Sequence, residues 1–140
     1  SGFCSFIEGC VLNTKSRMQP ITSLSVTEAE LVAATECAQD LLYVKHVMES
    51  IGLKVRTPMN LNIDNSGCID LICNWSAGGR TRHMETRMYF LRELKEEEPP
   101  IIMPIYCPTA MNHSDIFTKN CDTATFDEHV RVFCTDDAYK

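Results

Sequence analysis

The stretch from Met59 to Ile72 constrains the fold more than any other part of the chain. Met59, Leu61 and Ile63 alternate with Asn60, Asn62 and Asp64, the pattern of a strand with one buried face. From Ser66 to about Asn74 the apolar spacing turns helical. A strand that feeds straight into a helix calls for a sheet with helices packed on it. The junction carries an acid. Asp64 sits at the carboxyl end of the strand, where open α/β sheets bind their ligands. A purely structural role is open to it as well, since it could cap the next helix, but Asn65 and Ser66 could do that equally.

The remaining elements follow from similar signals. Gly2 to Ile7 reads as a strand, Glu8-Gly9 as a two-residue turn, and Cys10 to Lys15 as the hairpin partner. Ser25-Val26-Thr27-Glu28 matches a capping box and opens a long helix to Ser50, with Gly52 placed to end it. Trp75 to Arg82 is a loop around Gly78-Gly79. A second long helix spans about Glu85 to Glu97, stopped by Pro99-Pro100. Ile101 to Tyr106 is a fourth strand, and Asn112 to Lys119 begins a helix. The order β-β-α-β-α-α-β-α predicts an α/β fold: one mixed sheet flanked by helices. Phe126, Val130 and Phe133 suggest a last helix packed on it.

With 140 residues, 44% hydrophobic and 23% charged, the chain suits one domain and not a disordered or fibrous class. It has no apolar run near the roughly 18 residues a membrane span needs. No basic-then-apolar stretch opens the sequence, and its start at Ser1, already in strand-like sequence, leads to the expectation of a piece cut from a longer polypeptide. The net charge of −6 argues against a generic phosphate binder. Locally the balance reverses: Arg80, Arg82, Arg87, Arg92 and Lys95 face only Glu85 and Glu93, a surplus of +3. The eight cysteines include no Cys-x-x-Cys pair. Cys4, Cys37, Cys68, Cys73 and Cys107 read as small core hydrophobes in a reducing compartment. A zinc site on Cys68 and Cys73 would lack a second ligand pair.

Three acids stand out. On a helical wheel Glu30 falls in the apolar arc with Ala34, Cys37, Leu41 and Met48, whereas Glu28 falls on the wet side with Thr35 and Gln39. A buried carboxylate is costly without a charged partner, although a first-turn position favours acids in any case. Asp64 ends a strand. Asp115 lies beside Asn112 and Ser114 at another helix start, where the same dipole argument applies. Taken together they suggest a carboxylate cluster at one sheet edge. Clustered carboxylates repel unless a hard cation such as Mg²⁺ joins them, and such sites cut phosphodiesters with two metal ions.

At this point the residues resemble a known family. Ser25-Val26-Thr27-Glu28-Ala29-Glu30 is similar to the "SxxEAE" helix start of the ribonuclease H domain in copia-type retrotransposon polyproteins. Asp64-Asn65 resembles its "DN" strand end. Arg80 to Glu93 resembles its "SRTKHIDIRYHFIRE" block, and Cys107-Pro108-Thr109 with Ser114 to Lys119 its "PT…ADIFTK" ending. The motifs run in order from about Ser1 to Lys119. Departures include Leu31 for tyrosine, Glu85 for aspartate and Ser114 for alanine, which fit a degenerating copy or a divergent lineage.

The resemblance implies a ribonuclease H-like domain over residues 1–120, with 121–140 as an extension. It implies a mixed sheet carrying four acids that bind two Mg²⁺ ions and hydrolyse the RNA strand of an RNA–DNA hybrid. By position, Glu30, Asp64 and Asp115 are three of the catalytic and metal-binding acids. The family's first acid lies on a central strand that precedes Ser1, so an incomplete metal site and an impaired isolated chain are expected. Arg80, Arg82, His83 and Arg87 are the implied nucleic-acid contacts; a solvated helix face is their plain alternative. His113 could help move a proton or be a surface histidine. The implied partners are the hybrid and a reverse transcriptase domain of the same polyprotein, with no membrane. The implied location is intracellular: cytoplasmic, within virus-like particles, or with access to the nucleus. A noncatalytic relict or binding module of the same fold is the alternative function. A protein–protein interaction domain would fit the net charge but not the motifs.

Overall fold

In a computed structural model of the protein, residues 1–19, 23, 25–74 and 82–134 are described, Arg82 and His83 as backbone only. Ser25 takes an extended conformation and its side chain accepts the backbone N–H of Glu28 at 3.1 Å, which starts helix α1 (Val26–Ser50). The helix stops where Gly52 turns left-handed at φ 86°, with the Gly52 and Leu53 amides closing onto the Glu49 and Met48 carbonyls.

Before α1, β1 (Gly2–Ile7) and β2 (Cys10–Ser16) pair antiparallel, with an irregularity between Ser5 and Phe6. After it come β3 (Met59–Ile63), α2 (Ser66–Cys73), α3 (Arg82–Glu96) and β4 (Ile102–Tyr106). β3 and β4 run parallel, Leu61 opposite Pro104, so two helices carry the chain across between them. Two short 3-10 turns follow, Thr109–Met111 and His113–Phe117, and then α4 (Thr123–Phe133). The expected order of strands and helices is therefore present, except that the turn around Asp115 is 3-10 rather than α-helical.

The core joins α1, β3, α2, α3 and β4. Leu31 and Ala38 from α1 meet Leu61 and Ile63 from β3, Ile72 from α2, Leu91 from α3 and Ile102 from β4. Leu31, Ile72, Leu91 and Ile102 are completely buried, and truncating any one to alanine would cost about 2–5 kcal/mol. Packing of α3 against α1 corrects the wheel reading. Glu28 and Thr35, assigned to the wet face, are buried; Thr35 lies beside Thr86, Arg87 and Phe90 of α3, and its Oγ1 donates to the Leu31 carbonyl at 2.7 Å. Arg92, counted with the basic surface, is 2% exposed: it donates to the carbonyls of Leu71, Ile72 and Asn74 at the end of α2. A guanidinium there satisfies orphan carbonyls and meets the negative end of the helix dipole.

The sheet differs from expectation. Among the described residues it is two separate two-stranded sheets, β1-β2 and β3-β4, not one continuous mixed sheet. Among the described residues each pair has edges free of strand partners, and no helix is long and apolar enough to cross a membrane. All eight cysteines are free thiols: Cys68 is fully buried, Cys10 is exposed and the other six are half-buried, Cys4 and Cys37 among them beside the gap between the sheets.

Candidate functional site

A cleft of about 730 Å³ lies between the two sheets, walled by β1 on one side and β3 on the other. Its floor is the apolar face of α1, through Ala33, Cys37, Leu41, Val44 and Met48. The carbonyl of Ile101 accepts the Met59 N–H, and the Ile63 carbonyl accepts the Cys107 N–H, so alternate residues of β3 bond toward β4. By alternation, Asn60 and Asn62 turn their backbone groups toward the cleft that they line.

The acids gather at the end of the cleft where α1 begins and β3 ends. Glu30 and Asp64 line it together, beside Asn112, His113 and Ser114. Capping is not what places Asp64 there, because Asn65 caps α2. Asp115 is likewise relieved of capping: Asn112 accepts the Ser114 N–H at 3.2 Å, and its amide donates to Asp115 Oδ1 at 3.1 Å. The 3-10 turn is pinned against β1 at Gly2, where a Cβ would lie only 2.7 Å from Thr118 Cγ2. Asp115 itself is 7% exposed.

Asp64 and Asp115 converge on one cation, which sequence reasoning missed. Lys119 Nζ lies 2.7 Å from Asp115 Oδ2 and 3.8 Å from Asp64 Oδ2. Its place four residues after Asp115, at the end of one helical turn, was the available signal. Burial pushes the Glu30 carboxyl above its usual range; Asp64 and Asp115 push it the same way, and Lys119 opposes them. The hydrogen bond to Asp115 raises the Lys119 ammonium above its ordinary value. Burial drives the Cys68 thiol, with Glu30 and Asp64 nearby, up to about 12, so this cysteine stays protonated.

In donor chemistry the residues fit a hard divalent ion: oxygen ligands only and an excess of negative charge. In arrangement, among the described residues no three His, Cys, Asp or Glu side chains form a group that could hold a metal ion. The shared cation position belongs instead to an ammonium. Of the nucleic-acid candidates, Arg87 lies half-buried on α3 beside Thr35, Gln39 and Phe90. Arg80 lies outside the described residues, and Arg82 and His83 start α3. His113 is no free surface histidine: its Nδ1 is 3.0 Å from Nδ1 of buried His129 on α4. Phe133 of the same helix stacks near Phe6, His113 and Phe117. The last helix thus packs through His129 and Phe133, while Phe126 is exposed.

No family model matches the chain, and no solved structure matches it. Over 119 residues, 85% of its length, the chain is 29% identical to a retrovirus-related Pol polyprotein from transposon TNT 1-94 of Nicotiana tabacum. The match spans 9% of that polyprotein. The similarity supports reading this α/β chain as similar to one region of a transposon Pol polyprotein.

Proposed function

We propose that the chain is the ribonuclease H region of a copia-type retrotransposon polyprotein, which hydrolyses the RNA strand of RNA–DNA hybrids with Mg²⁺. The observation that carries this reading is the meeting of Asp64 and Asp115, from two distant segments, on one cation beside Glu30 at a strand's carboxyl end. Bound divalent ions would activate water and stabilise the leaving oxygen. Glu30, Asp64 and Asp115 would each contribute a ligand, and a fourth carboxylate from a further strand would complete the set. Asn112 orients the Asp115 carboxylate through its amide. Arg87, with Arg80, Arg82 and His83, would contact the hybrid backbone and set register without reading sequence. A reverse transcriptase domain in the same polyprotein would supply the hybrid, inside the cell.

On this reading the active form has a further strand, carrying a fourth carboxylate, between β1 and β3, and the cleft between the two sheets supports it. The test is a chain extended by such a strand of about ten residues. It should cleave the RNA of a labelled hybrid with Mg²⁺ and stop with EDTA, whereas an otherwise identical chain with asparagine for the new aspartate should be folded and inactive. An extended, folded, aspartate-bearing chain without cleavage would sink the enzymatic reading. That outcome would favour a noncatalytic relict of the same fold, a reading that the lack of a ligating triad among the described residues already motivates.

A further inference from the structure

The hydrophobic core draws on α1, α2, α3, β3 and β4, and among the described residues none of its members comes from β1, β2, the 3-10 turns or α4. Those elements pack on one another instead. The Phe133 ring of α4 stands 5.9 Å from Phe6 of β1 and 5.3 Å from Phe117 of the second 3-10 turn. Ser16 of β2 donates its hydroxyl to the Phe117 carbonyl at 2.5 Å, and His113 of the turn meets His129 of α4. The hairpin, the turn that carries Asp115, and α4 thus form one packed unit beside the main core. The chain enters this unit from β4 through Pro108 to Met111, which are all exposed.

What joins the unit to α1 is largely polar. Glu36 and Asp40 lie four residues apart, on one face of the helix. Glu36 pairs with Lys15 at 3.6 Å and with Arg17. Asp40 accepts Ser5 Oγ at 2.8 Å and Asn13 Nδ2 at 2.6 Å. Of the apolar side chains of the hairpin only Phe3 is buried. The same hairpin walls the cleft above Ala33, Cys37 and Leu41, and among the described residues no strand pairing ties β1 to β3. Apolar burial holds at any ionic strength, whereas the Lys15 and Arg17 side chains are 39% and 47% exposed, so salt weakens their pairs.

We propose that Glu36 and Asp40 are a latch that holds the unit of hairpin, turn and α4 closed on α1, and that its release opens the wall of the cleft. Closed, the latch sets Asp115, which belongs to the unit, beside Asp64, which belongs to the main core. Lys119, carried by the unit, reaches Asp64 at 3.8 Å and is the longer tie on that side. The latch stands apart from the hydrolytic reading, because it involves no metal and no hybrid. Its consequence is entry: the floor of the cleft becomes reachable while the core stays packed.

Thiol alkylation of the 140-residue chain reads the opening. Cys37 lies on the floor under the hairpin wall, and Cys68, fully buried in the main core, reports global unfolding. With iodoacetamide at fixed pH and peptide mass spectrometry, raising NaCl from about 20 mM to about 1 M should speed Cys37 about fivefold and leave Cys68 unchanged, the size expected from screening two exposed ion pairs. Glu36→Gln should react at the fast rate already at low salt and lose the salt dependence. Glu36 is the residue to change, because burial and then Asp40 raise the Cys37 thiol to about 12, so an Asp40 variant would alter its reactivity without any motion. Nuclear Overhauser contacts between Phe6 and Phe133 should survive in Glu36→Gln, since the unit moves whole.

A salt effect that persists undiminished in Glu36→Gln reflects screening of Asp40 at the thiol and overturns the latch. Equal Cys37 rates in wild type and variant at low salt overturn it too, as does Cys68 rising in step with Cys37. Loss of the Phe6–Phe133 contacts overturns the single unit. Should Glu36→Gln misfold, the wild-type salt series decides alone: a Cys37 rate indifferent to salt ends the proposal.

Discussion

The side chain of Asn65 accepts the backbone N–H of Cys68 at 2.9 Å, which starts α2 and leaves the preceding Asp64 without a capping duty. The two neighbours can therefore be separated by mutation. Asn65→Ala should destabilise the fold by about 1 kcal/mol, the usual loss of an N-cap. Asp64→Asn should leave α2 intact by circular dichroism and weaken Mg²⁺ binding by removing a charged ligand. Exposed Asp70, on α2 itself, is the control: Asp70→Asn should change neither. Equal Mg²⁺ affinity in wild type and Asp64→Asn would take Asp64 out of the site.

Two arginines of α3 should part company in the same way. Arg92 is buried against the last carbonyls of α2. Arg92→Met should cost about 2–4 kcal/mol in urea unfolding, because a buried cluster of carbonyls loses its donors. Arg87→Gln, at a half-buried and not a fully buried site, should cost less stability than Arg92→Met. It should weaken hybrid binding evenly across sequences and flatten the salt dependence by about one charge. A sequence-selective loss at Arg87 would argue against a backbone contact.

That contrast shows what a sequence can and cannot disclose here. The strand ending at Asp64, the cap at Ser25, the hairpin turn and the end of α1 at Gly52 were legible because each rests on local spacing and turn chemistry. The burial of Thr35 and Arg92 was not, because it depends on how α3 packs against α1 and α2, and a wheel knows only one helix at a time. Glu30, Asp64 and Asp115 could be marked as misplaced acids. Lys119 escaped notice because an exposed lysine is ordinary until the fold sets Asp64 beside it. His129 escaped notice for the opposite reason: the apolar stripe of α4 points to Phe126, and a histidine does the packing.

The Glu30 carboxyl gives a pH test. Its folded-state value is raised above the ordinary 4.5, first by burial and then by Asp64. The folded state thus holds the proton more tightly than the unfolded state, so this group's contribution to stability falls as pH rises from 4.5 through the raised value. Glu30→Gln removes that penalty. In metal-free buffer the variant should be more stable than wild type at neutral pH, and the gain should shrink away below pH 4.5, where wild-type Glu30 is protonated too. A gain that persists unchanged at low pH would mean that the substitution acts through packing and not charge.

The last prediction concerns the gap between the sheets. Asn60 and Asn62 face the cleft with backbone groups that, among the described residues, no neighbouring strand pairs, and β1 presents the opposite wall. Free edges of this kind recruit other strands, so the 140-residue chain should self-associate as its concentration rises. The floor adds to this, with Leu41, Val44 and Met48 of α1 only half-buried. In hydrogen exchange, the Asn60 and Asn62 amides should exchange fast while Leu61 and Ile63, directed at β4, are protected. Extension by a strand that enters the cleft should slow Asn60 and Asn62 together, suppress self-association and bury Leu41. A Leu41→Asp change should block that insertion while sparing the β3–β4 pair, since Leu41 lies on the floor and not between those strands. If the extended chain protects Asn60 and Asn62 no better than the 140-residue chain does, the cleft is not a strand site. Hybrid cleavage by the unextended chain would further show that the carboxylates already present suffice.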